Sequence, residues 1–479
     1  MSFSEKIFTI LQKNKVILLL KTCTAAELRL LAKFVQSPVH NRHEMVIGLF
    51  QYLRKHLHGS EEALSGKRVF EALWPGEPFD MQKVHYVNSY LLKVVEEFFA
   101  WNEWRQDEHN FNLQLVRAYR HHRLEGPFEG IYEKTRQEME TDHRQDLTRL
   151  WQQYHLELER FNQARTIGGK QDFQLQLLSD TLDVAFIAEK LRTACILLSN
   201  QAVVKTNYDT GLLPQVLAFL ENHPCLDIPA IAVYYHAYRT LVNFEDDGSY
   251  RRVKQFLANH RQSFNLHELH DLYIFAINYC IRRMNSGEQA FMGEAFDIYR
   301  MGMETDAFVQ NGVMSPRTYS NIVMSGLRLK EFDWVGKFIG QYKDSLPEKQ
   351  REGFYNFNLA RLHYEQGNYR AAMPLLLQME YEDVLLTCLG KILLAKMYFE
   401  MDEFESLDSL LSSFRTYVHR KKNLGYHRES SLHFIHFTQK LMQRSPGGAA
   451  QLAREISDTK VVAEKEWLLE RVRLVGHGI

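Results

Sequence analysis

Proline and glycine, the residues that most often interrupt helices, are scarce in this sequence: 11 prolines and 25 glycines are spread over 479 residues. Between them run segments in which apolar residues recur every three or four positions, which is the spacing of one face of an α-helix. Strict alternation of apolar and polar residues, which marks half-buried strands, is absent. The sequence therefore predicts an all-α fold, and we expect no sheet.

Cysteine is also rare, and the five cysteines are widely separated. No two of them form the C-x-x-C pair that is typical of many zinc sites and redox dithiols. We therefore expect reduced, mostly buried thiols and a cytoplasmic protein. The apolar run at residues 16–20 is too short for a secretion signal. No segment approaches the roughly 20 apolar residues of a membrane span, so we expect no membrane segment.

Neither sign of charge is in excess, because 58 lysines and arginines stand against 59 aspartates and glutamates. This balance gives no overall electrostatic reason to bind a polyanion, so any basic patch must be local. The clearest basic run extends from Arg415 to Arg428. The simpler interpretation is that its cations offset the dipole at the C-terminus of a helix, and a phosphate-binding patch is the alternative.

Motifs that carry catalysis are missing as well: there is no phosphate-binding loop, no nucleophile elbow and no dinucleotide fingerprint. The segment from His267 to Asp271 approaches the H-E-x-x-H motif of zinc proteases, but its histidines are only three residues apart. His267, His270 and Asp271 could share a metal, whereas a capped helix start with surface histidines is the simpler interpretation. We expect no enzymatic activity, no cofactor and no metal.

Breaks in the helical pattern divide the chain into three predicted parts. Residues 1–106 are predicted to form a small helical bundle, residues 107–442 an array of antiparallel helix hairpins, and residues 443–479 a C-terminal capping helix. The bundle is predicted to contain helices at about 4–20, 25–36, 42–58, 65–73 and 80–105. From 108 to 201 the helices are longer, and we expect two of them to pack through a narrow apolar stripe. The stripe consists of Leu147, Leu150, Trp151, Tyr154, Leu158 and Phe161.

A repeat is found by setting Phe332, Tyr369 and Phe404 beneath one another, at spacings of 37 and 35 residues. Six further columns keep their chemical character in all three units. They are Ile322, Leu359 and Leu394; Val323, Ala360 and Ala395; Leu327, Tyr364 and Phe399; Val335, Ala372 and Leu407; Ile339, Leu376 and Leu411; and Tyr342, Met379 and Phe414. A small residue late in the first helix lets the second helix approach closely, and the aromatic residue after the turn fills the gap. Each unit then buries its remaining apolar face on the next unit.

Each unit needs a residue that ends its first helix. Gly367 is predicted to do so in the middle unit by taking a positive φ, which glycine adopts without strain. Lys330 and Asp402 occupy the same place in the flanking units. These two residues suit a positive φ less well than glycine does.

The middle unit resembles the tetratricopeptide repeat. The residues that carry the resemblance are Leu359, Ala360, Gly367, Tyr369, Ala372 and Leu376. The match is specific for about 353–380, moderate over 316–415 and degenerate elsewhere, and Met379 stands where the family usually has alanine. The whole chain also resembles long uncharacterised bacterial all-α proteins that have a short helical head and such repeats.

The resemblance implies an α-solenoid in which the first helix of each unit lines a concave groove that binds a protein or peptide partner. The groove positions, transferred to this sequence, are Phe354, Phe357, Arg361, Tyr364, Glu365, Lys396, Phe399 and Glu400, with Leu389 and Ile392 beside them. The family's clamp for a C-terminal carboxylate is absent, because Phe357, Leu389 and Leu393 replace its lysine and asparagine residues. Packing between hairpins accounts for part of these apolar residues.

The resemblance therefore implies a non-enzymatic scaffold or adaptor, and its partner is expected to be an extended or helical segment with apolar anchors and acidic residues.

The alternative is a regulator that binds nucleic acid, because the helices at 65–73 and 80–105 imitate a helix-turn-helix. The second of these helices offers Lys83, Lys93 and Arg105. Residues 1–106 contain 14 lysines and arginines against 11 aspartates and glutamates, which gives a net charge of +3.

Overall fold

The computed structural model describes residues 14–167, 174–204, 206–223, 225–377, 383–421, 424–443 and 448–476. These residues form 23 α-helices and one short two-stranded ribbon, so the predicted all-α fold is confirmed. The chain forms two compact units. The first comprises Met1–Thr141 and Trp151–Thr181, and the second comprises Asp142–Leu150 and Leu182–Ile479.

The first unit begins with a bundle of five helices around one core. They are α1 (Lys15–Thr22), α2 (Ala25–Gln36), α3 (Glu44–His56), α4 (Gly66–Leu73) and α5 (Met81–Gln106), with a 3₁₀ turn at Glu61–Leu64. Helix α5 is central and contacts the other four. The predicted helices at 25–36, 42–58, 65–73 and 80–105 agree with the observed bounds to within two residues. Most of the helix predicted at 4–20 lies outside the described residues.

Local signals explain why two of these helices begin where they do. The Thr24 side chain accepts a bond from the backbone N–H of Glu27, and the Glu27 carboxylate accepts one from the backbone N–H of Thr24. This reciprocal pair satisfies two amides that have no partner within the helix. Asp80 caps α5 by accepting a bond from the backbone N–H of Gln82 at 2.8 Å.

The first unit continues with α6 (Glu108–His121), α7 (Glu125–Thr141) and, from Trp151 onwards, α8 (Leu147–Ile167), and α9 (Leu175–Val204) follows. The apolar stripe predicted on α8 is buried only at its start: Leu147 and Leu150 are buried, whereas Trp151, Tyr154, Leu158 and Phe161 are half-buried. The side that packs on α6 and α7 carries polar groups as well as the buried Leu156. Glu159, only 3% exposed, accepts bonds from the guanidinium groups of two arginines on α6. These ion pairs accompany an apolar contact, in which the buried Leu156 packs against α6 and α7.

The second unit consists mainly of consecutive helices that pack in pairs. The helices after α9 are α10 (Leu213–Asn222), α11 (Pro229–Val242), α12 (Asp247–Asn259), α13 (Leu266–Asn285), α14 (Phe291–Glu304), α15 (Pro316–Arg328), α16 (Phe332–Gln341), α17 (Glu348–Glu365), α18 (Tyr369–Leu377), α19 (Val384–Glu400), α20 (Phe404–Arg420), α21 (Tyr426–Met442), α22 (Ala449–Asp458) and α23 (Lys465–Gly476). A 3₁₀ turn lies at Arg261–Ser263. From α11 to α20 the helices form five hairpins, and the second helix of each hairpin packs on the helix that follows.

The three units predicted from the sequence are the hairpins α15/α16, α17/α18 and α19/α20. Val323, Ala360 and Ala395, which form one of the predicted columns, are all fully buried. The residues that end the first helices also behave alike, since Lys330, Gly367 and Asp402 have φ angles of 61°, 71° and 59°. The positive φ predicted for Gly367 is thus confirmed, and Lys330 and Asp402 share it. Met379 lies outside the described residues.

The expectation that no sheet would be present needs a small correction. Val309–Gln310 and Val313–Met314 form an antiparallel ribbon before α15. Asn311 and Gly312 connect the two strands with φ angles of 51° and 78°. Asn-Gly is the preferred pair for a two-residue turn with two positive φ angles, so the signal was in the sequence. It was missed because the flanking strands are only two residues long.

The structure describes the environment of all five cysteines, and each is a free thiol. Cys195, Cys280 and Cys388 are buried, in line with the expected buried thiols. Burial raises the pKa of the Cys388 thiol to about 11, which disfavours its reactive thiolate form. Among the described helices, none combines the length and the apolar character that a membrane crossing requires.

Candidate functional site

The first helices of the three repeat hairpins, α15, α17 and α19, lie side by side in that order. They enclose a cavity of about 390 Å³, which we call the groove. Its lining residues are Arg317, Ser320, Asn321, Met324, Phe354, Phe357, Arg361, Tyr364, Glu365, Asp383, Leu385, Leu386, Leu389, Ile392, Leu393, Lys396 and Glu464. The second helices contribute none of these residues, so the groove belongs to the face formed by the first helices.

Six of the eight predicted partner-binding residues line the groove: Phe354, Phe357, Arg361, Tyr364, Glu365 and Lys396. Leu389 and Ile392 line it too. The other two predicted residues, Phe399 and Glu400, are not among its lining residues and belong to a buried cluster at the end of α19.

The sequence prediction missed the contribution of α15 to the groove. The spacing of 37 residues that relates the first two repeat units places Arg317, Ser320 and Met324 at the positions of Phe354, Phe357 and Arg361. All three residues of α15 line the groove. The same alignment could therefore have identified them. No sequence pattern indicated Glu464, because it reaches the groove from the distant segment before α23.

Arg361 is the cation at the middle of the groove, on the central helix α17. Its guanidinium carbon lies 5.7 Å from the centre of the Phe357 ring. Within the part of the chain that the structure describes, no hydrogen bond and no ion pair occupies this guanidinium. Burial lowers the pKa of Arg361, because removal from water disfavours its charged form. The groove thus contains a partly desolvated positive charge without a direct counter-ion.

Lys396, one helix further on, is satisfied by the chain itself. Its Nζ lies 2.7 Å from Oε2 of Glu464 and 4.7 Å from the centre of the Tyr364 ring. The Lys396 side chain is 10% exposed and the Glu464 side chain 43% exposed, so water reaches this ion pair from the Glu464 side. Glu464 has a φ of 51°, an uncommon conformation for a residue other than glycine. The C-terminal segment therefore supplies an acidic side chain to the wall of the groove.

Glu400 is the centre of a largely buried polar cluster that joins four helices of this unit, α17, α18, α19 and α23. Oε1 accepts bonds from the Tyr364 hydroxyl at 2.8 Å and from the Trp467 indole N–H at 2.5 Å. Oε2 accepts a bond from the Tyr369 hydroxyl, and a guanidinium nitrogen of Arg471 lies 3.8 Å from Oε1. Burial and the neighbouring Glu400 raise the pKa of Tyr369 to about 12, which keeps its hydroxyl a donor. These contacts hold α23 against α17 and α19.

The histidine segment forms the start of α13, and no group of three metal-ligating side chains occurs among the described residues. The Asn265 side chain caps α13, His267 is exposed, and His270 Nδ1 lies 3.2 Å from the backbone oxygen of Ala307. Asp271 pairs with Arg192 at 2.9 Å. The three possible ligands named from the sequence therefore do not converge.

Glu268, within the same segment, is buried in a network of donors. It is 3% exposed, and its carboxylate accepts bonds from the backbone N–H of Leu147, the side-chain amide of Asn265 and the hydroxyl of Tyr234. Burial raises the pKa of Glu268 to about 7, and the nearby Asp146 adds to the rise. Glu268 therefore anchors the segment 142–150 to α11 and α13 with a carboxyl group that titrates near neutral pH.

Stability is expected to depend on pH through Glu268. A glutamate in an unfolded chain titrates at about 4.3. Between that value and about 7 the folded protein retains a proton that the unfolded chain has lost, so stability falls as pH rises through this window and is level above it. Across this window the free energy of unfolding is expected to fall by about 2–4 kcal/mol in total. Glu268→Gln mimics the protonated carboxyl, so urea unfolding across the window should show the variant gaining stability relative to the natural protein. A constant difference would contradict the assignment.

The cations predicted to contact nucleic acid in the head, residues 14–106, are largely engaged. Lys83 pairs with Glu77 at 2.5 Å. Lys93 lies over the ring of Tyr90 at 5.4 Å, and Arg105 lies over the ring of Trp101 at 5.2 Å. The predicted helices correspond to α4 and α5, which pack on each other. The surface beside α5 is thus aromatic and mixed in charge.

The basic run from Arg415 to Arg428 begins in α20 and ends in α21. His419 and Arg420 lie in the last turn of α20, where cations offset the helix dipole. The Arg415 guanidinium donates to the Gln439 side chain at 2.6 Å, and the Arg428 guanidinium donates to the backbone oxygen of Lys421. These contacts agree with the simpler interpretation of the run.

Comparisons of the chain with protein families, with curated proteins and with solved structures find no match. The geometry of the groove must therefore support any functional conclusion by itself.

Proposed function

We propose that this chain is a non-enzymatic scaffold or adaptor of the tetratricopeptide-like kind, which binds a segment of a partner protein in the groove. The observation that supports this proposal is the cavity of about 390 Å³ between α15, α17 and α19. It is lined by the first helices, as the repeat register predicts for a partner-binding face. The reduced cysteines suggest that this binding takes place in the cytoplasm.

The composition of the groove suits a protein segment. Its wall combines aromatic and aliphatic side chains with a few charged groups, a mixture that is typical of sites that hold apolar anchors and fix their orientation. Leu389 is 38% exposed although it lies on a helix that is otherwise mostly buried. An apolar side chain of the partner would remove Leu389 from water, which stabilises the complex.

The same residues give little support for catalysis. Neither histidine nor cysteine is among the described lining residues, so the groove offers no such nucleophile or general base. The nucleic-acid alternative has less support than the groove, because Lys83 is already paired and Lys93 and Arg105 lie against aromatic rings. Phosphate contacts need cations that are free to approach the backbone.

Leu389→Glu is expected to weaken peptide binding strongly without loss of the fold. Random peptides displayed on phage would first be selected on the natural full-length protein, and the enriched pool would then be tested on the variants. A buried carboxylate at position 389 opposes apolar contact, so retention of the pool should fall at least about tenfold. The matched control is Leu377→Glu on α18, where the natural side chain is 59% exposed outside the groove.

The control variant should retain the pool as the natural protein does. Failure to enrich any peptide above a support without protein would overturn the proposed function, and so would equal retention of the pool by Leu389→Glu. Circular dichroism of both variants should show the natural helical content, because both leucines are exposed to solvent.

A further inference from the structure

We propose that the groove selects a segment with an internal acidic side chain, whose carboxylate is bound by Arg361 between apolar side chains on both sides. This inference rests on the proposed function and names the chemistry of the partner. Its starting point is the guanidinium of Arg361, which has no hydrogen-bonded or ion-paired partner among the described residues. A carboxylate would match its paired donors and restore the interactions lost with water.

The other cations of the groove are less suited to this role. Lys396 is already neutralised by Glu464 at 2.7 Å. Arg317 lies at the exposed start of α15, where water screens its charge. Burial disfavours the charged form of Arg361. A negative charge on the partner would therefore stabilise this guanidinium more than it would stabilise the other two cations.

The acidic residue is expected within the segment and not at its end. Arg361 lies on α17, the middle helix of the three. Met324 on α15 and Ile392 on α19 lie on either side of it and both line the groove. A segment that crosses all three helices would therefore place apolar side chains before and after the residue that meets Arg361.

A single negative charge fits this groove better than a phosphate group. Glu365, Asp383 and Glu464 line the same cavity as Arg361. A phosphorylated side chain carries about −1.5 to −2 charges at neutral pH, which exceeds the single charge of Arg361, and the excess would be repelled by Glu365 and Asp383. A carboxylate brings one charge, which Arg361 alone can balance. The structure thus favours glutamate or aspartate over a phosphorylated residue.

Glu464 provides a second test, in which a substitution should strengthen binding and not weaken it. Its carboxylate faces Lys396 within the groove, so it competes with an acidic partner for the local positive potential. Replacement of Glu464 with glutamine would leave Lys396 without its counter-ion. Binding of an acidic segment should then become stronger. If the groove held only apolar anchors, this substitution would leave binding unchanged.

The experiment uses three immobilised random peptide libraries that differ only at one fixed central position, which is glutamate, glutamine or phosphoserine. The natural full-length protein should be retained about tenfold more on the glutamate library than on the glutamine library, as expected for a charged hydrogen-bonded pair. Arg361→Gln should remove this preference, and Glu464→Gln should increase it. Arg370→Gln, at an exposed position of α18, is the matched control and should leave the preference unchanged.

The outcomes separate this inference from the proposed function. Equal retention on the glutamate and glutamine libraries, with loss of binding in Leu389→Glu, would overturn the carboxylate specificity while the proposed function stands. Strongest retention on the phosphoserine library would overturn the choice of a singly charged group. No retention on any library would contradict both. If Arg361→Gln has a lower melting temperature than the natural protein, Arg361→Lys is tested in its place. Lysine keeps the charge, so this variant should weaken the preference for the glutamate library without removing it.

Discussion

Glu400→Ala is expected to lower the free energy of unfolding by about 3 kcal/mol. The substitution removes the acceptor for three donors at once: the hydroxyls of Tyr364 and Tyr369 and the indole N–H of Trp467. The Glu400 side chain is 8% exposed, so these donors have little access to replacement water. Urea unfolding of the full-length variant against the natural protein measures the loss.

The matched control for this variant is Asp408→Ala, which removes an exposed carboxylate from the neighbouring helix α20. Its effect should stay within about 0.5 kcal/mol. The tryptophan fluorescence of Glu400→Ala should also change, because Trp467 loses its hydrogen bond and with it a contact that holds α23. A loss no larger than that of the control would show that the cluster around Glu400 does not hold the C-terminal helix in place.

Gly302→Ala is expected to destabilise the protein by about 2–3 kcal/mol, which is at the upper end of the usual cost of overpacking. A Cβ atom at position 302 would collide with the ring of Phe308, whose Cζ atom would lie 2.9 Å away. The ring cannot move aside easily, since it is 3% exposed and lies between Tyr273 and Tyr299 with ring centres 5.7 Å away in each case.

Gly293→Ala serves as the control because Gly293 belongs to the same helix, α14, and a Cβ there would meet no atom within 4 Å. Alanine is the better helix former, so this variant should gain about 0.5–1 kcal/mol. Thermal melting of the two variants should therefore shift in opposite directions. Shifts of the same sign would mean that helix propensity, and not the contact with Phe308, decides the effect at position 302.

The repeat hairpins could be predicted from the sequence because their signals are local. The column of Val323, Ala360 and Ala395 combines small or branched apolar residues with helical spacing, and all three are buried. Likewise, a helix end was expected at Gly367, and the positive φ found there follows from the conformational freedom of glycine. Such features depend on residues that are close in the sequence.

Features that depend on distant contacts could not be predicted in this way. Helix α8 shows an apolar stripe, yet its buried residues include Glu159, which is satisfied by arginines from α6. Periodicity identifies an apolar face but gives no information about a remote counter-ion. The same limit applies to the groove, where the sequence indicated Lys396 but not its partner Glu464, 68 residues away.

The most direct test of partner binding in the groove is amide hydrogen exchange of the full-length protein with and without the peptide pool enriched on it. Exchange reports local opening of helices, and a bound segment suppresses that opening where it lies. We predict slower exchange in α15, α17 and α19 and no change in α3 and α5 of the head. Protection confined to the head, or protection of the second helices α16 and α18 without the first helices, would contradict the account.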